Sequence, residues 1–299
     1  MESKICYITC FWLGDRRKMN SEYVEDKLYY LKQQIYFLEI YKHNLSKIVF
    51  NFNITPEQYH FIPEIFKLTP KQIQGAEVEI NLRENYGISY GAFSDIFSKY
   101  KTQYDYYVFN EDDYVWTQDN WDKYLVNKYN SYNDCGYLCL LSREPASWFN
   151  YQKHAGNSIG IASTPNLLKV FNISGEKLPH PYKTLEDFNG DKDKAYKHFE
   201  DGQMDFTFNF LKVGLNIYDI RDDYKVIVDA PNNNNTDICI YFNENSTLLN
   251  KPLKIINKNY SWFACDDIEF RKNYTLLSPE EALYCYNNKL GYDEYKSYE

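Results

Sequence analysis

Three things are scarce in this chain: glycine, positive charge and long apolar runs. With 12 glycines in 299 residues, there is no G-x-G-x-x-G and no G-x-x-x-x-G-K-[ST]. The glycine-rich phosphate cradles of dinucleotide-binding and P-loop proteins are therefore excluded. Lys and Arg total 33 against 42 Asp and Glu, a formal net charge of −9. A nucleic-acid binder needs a basic surface to neutralise phosphates, and this chain offers none overall. Where a phosphate-bearing ligand sits in so acidic a protein, a divalent cation is the usual mediator. No apolar run approaches the ~20 residues needed to span a bilayer. The opening MESKICYITCFWLGDRRK also lacks the basic start and long apolar core of a secretory signal. The expectation is a cytoplasmic protein with no membrane span, no nucleic-acid partner and no internal repeat; its oligomeric state is not legible.

Aromatic residues, by contrast, are abundant, with 31 Tyr and 19 Phe. They add amphipathic surface able to stack on sugar rings or bases. Seven cysteines include two pairs, Cys6/Cys10 and Cys135/Cys139, in the strand-like runs ICYITCF and CGYLCLL. Four residues along a strand span about 13 Å, too far for a disulfide or a shared metal within either pair. Buried reduced thiols are expected, which suits a reducing compartment.

Read in order, Ile5–Phe11 is β-rich, and Val24, Leu28, Leu31, Ile35 and Leu38 then recur at helical spacing behind an Asn20-Ser21 cap. Strands are expected at Lys47–Phe52, Glu77–Leu82 and Tyr106–Phe109, with helices opening at Thr55-Pro56 and spanning Ser89–Tyr100. This β-α-β-α-β-α-β order predicts a mostly parallel central sheet flanked by helices, with ligands beyond the carboxyl ends of the strands. Further on, helices are expected at Asp119–Tyr129, Pro165–Phe171 and Gln203–Val213, the last stopped by Gly214. Strands are expected at Gly136–Leu141, Ser158–Ala162, Asn216–Ile220 and Lys225–Val228. The asparagine run at 232–235 marks a boundary, giving a domain over 1–230 and an appendage over 231–299 with a helix near Ser278–Asn287.

The sharpest chemical feature is YDYYVFNEDDYVW, in which a β-rich strand delivers Glu111, Asp112 and Asp113 to its carboxyl end. Grouped carboxylates repel one another and lose hydration unless a cation is present. Such a pair can hold Mg²⁺ or Mn²⁺ while leaving positions for water and diphosphate oxygens. The bland alternative is a solvated acidic turn. A second cluster, HFEDGQMD, places Glu200, Asp201 and Asp205 at the start of a helix; the alternative is plain stabilisation of the helix dipole. His180 and His198 are candidate late metal or phosphate contacts, although surface or packed histidines are commoner. His154-Ala-Gly156-Asn157-Ser158 and the preceding Trp148 and Phe149 are candidate sugar contacts. The loop starting at Asp187 lacks the Gly and Glu that a calcium loop needs, having Lys192 and His198 there.

The segment Leu82-Arg83-Glu84-Asn85-Tyr86-Gly87-Ile88-Ser89-Tyr90-Gly91-Ala92, followed by Phe109-Asn110-Glu111-Asp112-Asp113, resembles the donor-site pattern of GT-A glycosyltransferases. There an R-x-N-x-G stretch and a small-residue helix precede a strand ending in a D-x-D-type motif. The likeness covers roughly Ile5 to Val228. It is similar in character to family-2-like enzymes and to small sugar transferases encoded by large DNA viruses, for which the compartment would be the host cytoplasm. The resemblance implies a metal-dependent transferase moving a sugar from a nucleoside-diphosphate sugar, UDP first among the nucleotides, to a glycan or other hydroxyl acceptor, with inversion. By position, Thr9, Phe11 and Asn53 would lie near the base. Arg83 and Asn85 would serve nucleotide or phosphate, with Gly87 allowing close approach; Asp95 would face the same pocket, the equal alternative being a plain helix-surface acid. Asp113 would be the main metal ligand, helped by Glu111, Asp112 and His198. Asp201 would be the general base, with Glu200 second and Asp205 third. Glu111 stands where the family has Asp, which puts the ribose contact of that position in question. The alternatives are a nucleotidyltransferase, for which CFWLGDRRK offers a thin loop, and a non-catalytic carbohydrate-binding protein on the same scaffold.

Overall fold

The computed structural model describes residues 3–14, 27–140, 142–143, 154–155, 158–180, 186–189, 191, 194, 205–220, 226–227, 239–241 and 255–256. The chain opens with β1 (Ile5–Trp12), α1 (Tyr29–Ile40) and β2 (Lys47–Ile54). A 3-10 turn (Pro56–Phe61), α2 (Ile62–Leu68), β3 (Gln72–Ile73), β4 (Ala76–Glu84) and α3 (Ile88–Tyr100) follow. Next come β5 (Tyr106–Glu111), β6 (Tyr114–Trp116), α4 (Trp121–Asn130) and β7 (Cys135–Cys139). The short pair β8 (Ser142–Arg143) and β9 (His154–Ala155) leads to β10 (Gly160–Ser163) and α5 (Thr164–Ile173). Helix α6 occupies 205–212, before β11 (Asn216–Asp219), β12 (Val226–Ile227), β13 (Cys239–Tyr241) and β14 (Ile255–Ile256).

Eight strands form the central sheet in the order β11-β7-β10-β5-β1-β2-β4-β3. β5, β1, β2 and β4 run parallel, as do β7 and β11, while β10 and the edge strand β3 are antiparallel. The expected α/β architecture, a mostly parallel sheet flanked by helices, is what the chain forms. β1 and β2 are buried on both faces almost throughout, the usual state of central strands in such sheets. Period-two alternation divides the core. Tyr7, Phe11, Phe50 and Phe52 face α1 and α4, while Cys6, Ile8, Cys10 and Val49 face α3.

Local differences from the sequence reading have local causes. The segment after Thr55 is not one helix. Thr55 and Gln58 form a capping box for a 3-10 turn, and Pro63, which has no N–H to give, restarts the chain as α2. β3 and the β6–β13 pair, too short to show a period, were not legible. β13 pairs antiparallel with β6, bringing 239–241 alongside Tyr114–Trp116. The Asn20-Ser21 cap and the helix near Ser278–Asn287 lie outside the described residues. Gly214 adopts φ +76° just beyond α6, as a helix-stopping glycine should. Among the described residues, no helix is long and apolar enough to cross a membrane.

At the amino ends of β2 and β4, Lys47 is buried and paired with Glu77 at 3.0 Å and Glu79 at 2.9 Å. Glu79 also accepts from Lys99 at 2.5 Å and from the Tyr100 hydroxyl. Burial by itself would raise the Glu79 pKa, but the hydrogen bonds from Lys99, Tyr100 and Lys47 outweigh it and hold the carboxyl at about 2. A depressed carboxyl stabilises the fold above its ordinary value of 4.5 and loses that contribution as pH falls towards about 2. Glu79→Gln is expected to cost about 2 kcal/mol at neutral pH, after allowance for partial exposure. It should also flatten the stability profile across that acid window, as read by denaturant melts at a series of pH values.

Candidate active site at the carboxyl edge of the sheet

Odd-numbered positions of β2 and β4 carry an unusual polar ladder on the α3 face. Asn81 Nδ2 donates to Asn51 Oδ1 at 2.6 Å, and Asn51 Nδ2 donates to Asn53 Oδ1 at 3.1 Å. Asn53 Nδ2 in turn reaches Cys10 Sγ at 3.3 Å and the Ile88 carbonyl at 3.1 Å. Arg83 closes the ladder at the carboxyl edge. Its Nε donates to Asp95 at 2.8 Å, Nη1 to Asn53 Oδ1 at 2.7 Å and Nη2 to the Tyr86 carbonyl at 2.9 Å. The Arg83 side chain is 6% exposed and lies 3.8 Å from the Tyr86 ring centroid. Three of the five donors of the guanidinium are thus used inside the fold. Tyr86 also donates its hydroxyl to Asp95 at 2.6 Å, and burial followed by that carboxylate raises its pKa.

The turn into α3 is built by two glycines with different tasks. Gly87, the helix N-cap, has φ +67° in the left-handed region. Ile88 follows at φ +48°, strained for a β-branched residue, and its carbonyl is held by Asn53. Gly91 provides the close approach: a Cβ there would lie 2.3 Å from the Tyr86 carbonyl oxygen and 3.0 Å from Arg83 Nη2.

The acid triplet ends β5 beside this turn. Glu111 Oε1 accepts from Ser158 at 2.5 Å and from Ser89 at 3.2 Å, so one carboxylate ties β5 to α3 and to the approach of β10. Asp112 is 5% exposed, and its Oδ2 accepts the Trp12 N–H at 3.2 Å, which fixes the end of β1. Asp113 is half-buried in the turn between β5 and β6. Beneath the triplet, the buried Gln34 of α1 donates to the carbonyls of Asp112 at 2.9 Å and Tyr114 at 2.5 Å. It accepts from the Tyr7 hydroxyl at 3.0 Å.

Of the residues singled out from sequence, Asn53, Arg83, Asp95 and Glu111 converge at this edge, with Asp112 and Asp113 in the adjoining turn. Asn85 is exposed in the loop before α3. Thr9 and Phe11 are fully buried on the opposite, α1-facing side, with Phe11 stacked on Phe52 at 4.6 Å. The alternation of β1 puts Cys10 on the α3 face instead. Burial, reinforced by Asp112, pushes its thiol pKa up, so it is no ready nucleophile. His180 lies 6.1 Å from Tyr86, ring to ring. Glu200, Asp201, His198, Trp148, Phe149, Gly156 and Asn157 lie outside the described residues, as does the side chain of His154. The sequence reading missed Ser158 as a carboxylate partner, Gln34, Tyr86 and Gly91. Gly91 alone carried a signal, the second glycine of YGISYG.

Among the described residues, no three His, Cys, Asp or Glu side chains form a metal-holding group. A cation bound to a diphosphate takes most of its ligands from phosphate and water and needs only about one or two carboxylates. Glu111 and the half-buried Asp113 fit that smaller requirement. Asp112 has Oδ2 engaged by the Trp12 N–H.

No protein-family model and no curated protein matches the chain. Solved structures resemble it at low identity. A cytidylyltransferase from Leptospira borgpetersenii serovar Hardjo-bovis is 12% identical over 73% of this chain and 76% of that one, with a TM-score of 0.41. A CMP:2-keto-3-deoxy-manno-octonic acid synthetase complexed with CTP is 12% identical over 73% and 89%, with a TM-score of 0.39. The glycosyltransferase GlyE of Streptococcus pneumoniae TIGR4 is 13% identical over 74% and 46%, with a TM-score of 0.37. The chain thus spans under half the length of GlyE.

Gly91→Ala is expected to force the Tyr86 carbonyl off the Arg83 guanidinium. The cost should be about 1–3 kcal/mol, typical of overpacking against backbone, and should be visible as a lowered thermal midpoint.

Proposed function

We propose that the chain is a metal-dependent GT-A-type glycosyltransferase that moves a sugar from a nucleoside-diphosphate donor, UDP first, to a glycan or other hydroxyl acceptor with inversion. The observation that supports this most is the convergence of Arg83, Asn53, Asp95 and the strained α3 turn with Glu111, at the carboxyl edge of a parallel sheet. That edge is where open α/β sheets take their ligands. The acids of the β5–β6 turn suit a diphosphate carried by a cation.

In this reading Asp113 and Glu111 hold Mn²⁺ or Mg²⁺, with His198 as a third candidate. The bound ion would neutralise charge on the leaving diphosphate. Ser89 and Ser158 orient Glu111. The locked guanidinium of Arg83 lends positive potential to an otherwise acidic edge, with Asn85 and Asp95 on the same side of the nucleotide. Contact of the base with Thr9 and Phe11 would have to use backbone at the end of β1, because their side chains are buried. Asp201, with Glu200 second, takes the acceptor hydroxyl proton as that oxygen attacks the anomeric carbon and the bond to diphosphate breaks. Residues 231–299 are proposed as an appendage to the domain over 1–230, consistent with the pairing of β13 on β6.

Calorimetric titration of UDP, GDP and TDP with and without Mn²⁺ tests the donor site. UDP binding that requires Mn²⁺ and weakens at least about tenfold in Asp113→Ala is expected. Failure of every nucleoside diphosphate to bind would sink the proposal, and preference for a triphosphate would favour nucleotidyl transfer instead. Asp201→Asn should keep UDP binding and lose roughly 100-fold or more in turnover of UDP-sugar.

A further inference from the structure

At the opposite edge of the sheet, a cleft of about 680 Å³ opens where β5 and β7 begin, β10 ends and α5 starts. It is about a full strand length, roughly 17 Å, from the acid triplet. Its volume is within the range of small-molecule sites, ~300–1,000 Å³, but its lining is of another kind. Tyr106 is half-buried there beside Tyr104, the buried Tyr129 and Tyr132, which is stacked on Tyr218 at 3.7 Å; the rest of the wall is mainly amides and hydroxyls, including Asn130 and Asn133.

The wall is organised in advance. The Tyr106 hydroxyl donates to Asn130 Oδ1 at 2.9 Å, and its ring meets Tyr129 edge-on at 5.8 Å. Asn166 Nδ2 donates to the Tyr129 hydroxyl at 2.8 Å and to the Cys135 carbonyl at 2.9 Å. Tyr106 is half-buried, and Thr102, Asn130 and Asn133 are exposed, so a ligand meets a fixed ring with adaptable polar groups around it. Rigid aromatic surface with both donors and acceptors at its rim suits a polyhydroxylated ring, whose C–H face stacks while its hydroxyls both give and take hydrogen bonds.

Charge narrows the choice. The lining includes no Lys, Arg or His, and its one ionisable acid, Asp105, accepts the Lys4 backbone N–H at 2.8 Å. The start of α5 would favour an anion, but Asp105 already adjoins it, its carbonyl taking the Thr164 N–H at 2.9 Å. A phosphate or carboxylate ligand would meet the Asp105 carboxylate, and the ammonium of Lys128 beside this wall lies against the Tyr132 ring, 5.1 Å from its centroid.

We infer that this cleft is a second carbohydrate site, binding a neutral oligosaccharide independently of the nucleotide edge. Such a site would hold a glycan chain away from the reacting end. It stands whether or not the donor reading holds, because none of its residues belongs to that site.

The test is calorimetric titration of maltohexaose, cellohexaose and chitohexaose against the full chain, with Tyr106→Ala, Thr102→Trp and Asp113→Ala as variants. Tyr106→Ala removes the ring. Thr102→Trp fills the cleft from an exposed wall and disturbs no core, so it decides alone if Tyr106→Ala does not fold. Saturable binding of at least one sugar is expected, weakened about tenfold or more by both cleft variants and unchanged in Asp113→Ala. The inference is overturned if none of the three sugars binds the folded wild type. It is equally overturned if binding survives Thr102→Trp, or is lost in Asp113→Ala and so belongs to the other edge.

Discussion

A guanidinium removed from water must be surrounded by acceptors fixed in its own plane, and the carboxyl edge of this sheet is arranged around that demand. Arg83 requires Asn53 from β2, Asp95 from α3 and the Tyr86 carbonyl from the intervening turn. Those requirements bring the neighbouring elements with them. Asn53 is held in place by Asn51 and Asn81, which discourages any slip of β4 against β2, since a one-residue shift would turn the whole ladder to the other face. The Tyr86 carbonyl can sit where it does only because Gly91 has no side chain. A partly satisfied buried network is costly, so these contacts form together or not at all.

A second buried amide does the corresponding work across the sheet. Gln34 occupies the middle of the apolar stripe of α1, where hydrophobic spacing alone would put a Leu or Ile. From there it holds the carbonyls of Asp112 and Tyr114. The backbone of the acid turn is thereby shaped from below, while Ser89 and Ser158 fix the Glu111 side chain from above. Clustered carboxylates are thus set by neutral hydrogen-bonding groups, which orient them without cancelling their charge.

Much of the fold could be read from sequence because it follows from periodicity. Each of the parallel strands β1, β2, β4 and β5 was visible as a β-rich run, and α1 as a helical spacing of apolar residues, whereas the segment after β2 was marked only by its Thr55-Pro56 start and proved to be a 3-10 turn followed by α2. What escaped depends on contacts distant in sequence. β3 is a two-residue edge, and β6 meets its partner more than a hundred residues later. In the site, Arg83, Asn53 and Glu111 stood out because polar residues at strand ends are conspicuous against apolar runs. Ser158 and Gln34 did not, since a serine before a strand and a glutamine within a helix look ordinary until their partners are known. Thr9 and Phe11 show the reverse problem. Proximity to a strand end suggested a pocket, yet alternation directs both side chains into the α1 core. Glu200, Asp201 and His198 fall outside the described residues, so the acceptor side of the reading rests on sequence.

The thiols of Cys6, Cys10, Cys135 and Cys139 are buried and not in disulfides, and burial foremost pushes those of Cys6, Cys10 and Cys135 well above the ordinary thiol range. They lie in pairs on two strands of one sheet, β1 and β7, which are not neighbours, so no local fraying uncovers them all. Alkylation of these four sites is then gated by opening of the core itself. The cysteines serve as built-in chronometers of sheet disassembly: four labels, two near the middle of the sheet on β1 and two towards one side on β7, silent while the fold is intact and reactive in the order in which its strands come apart.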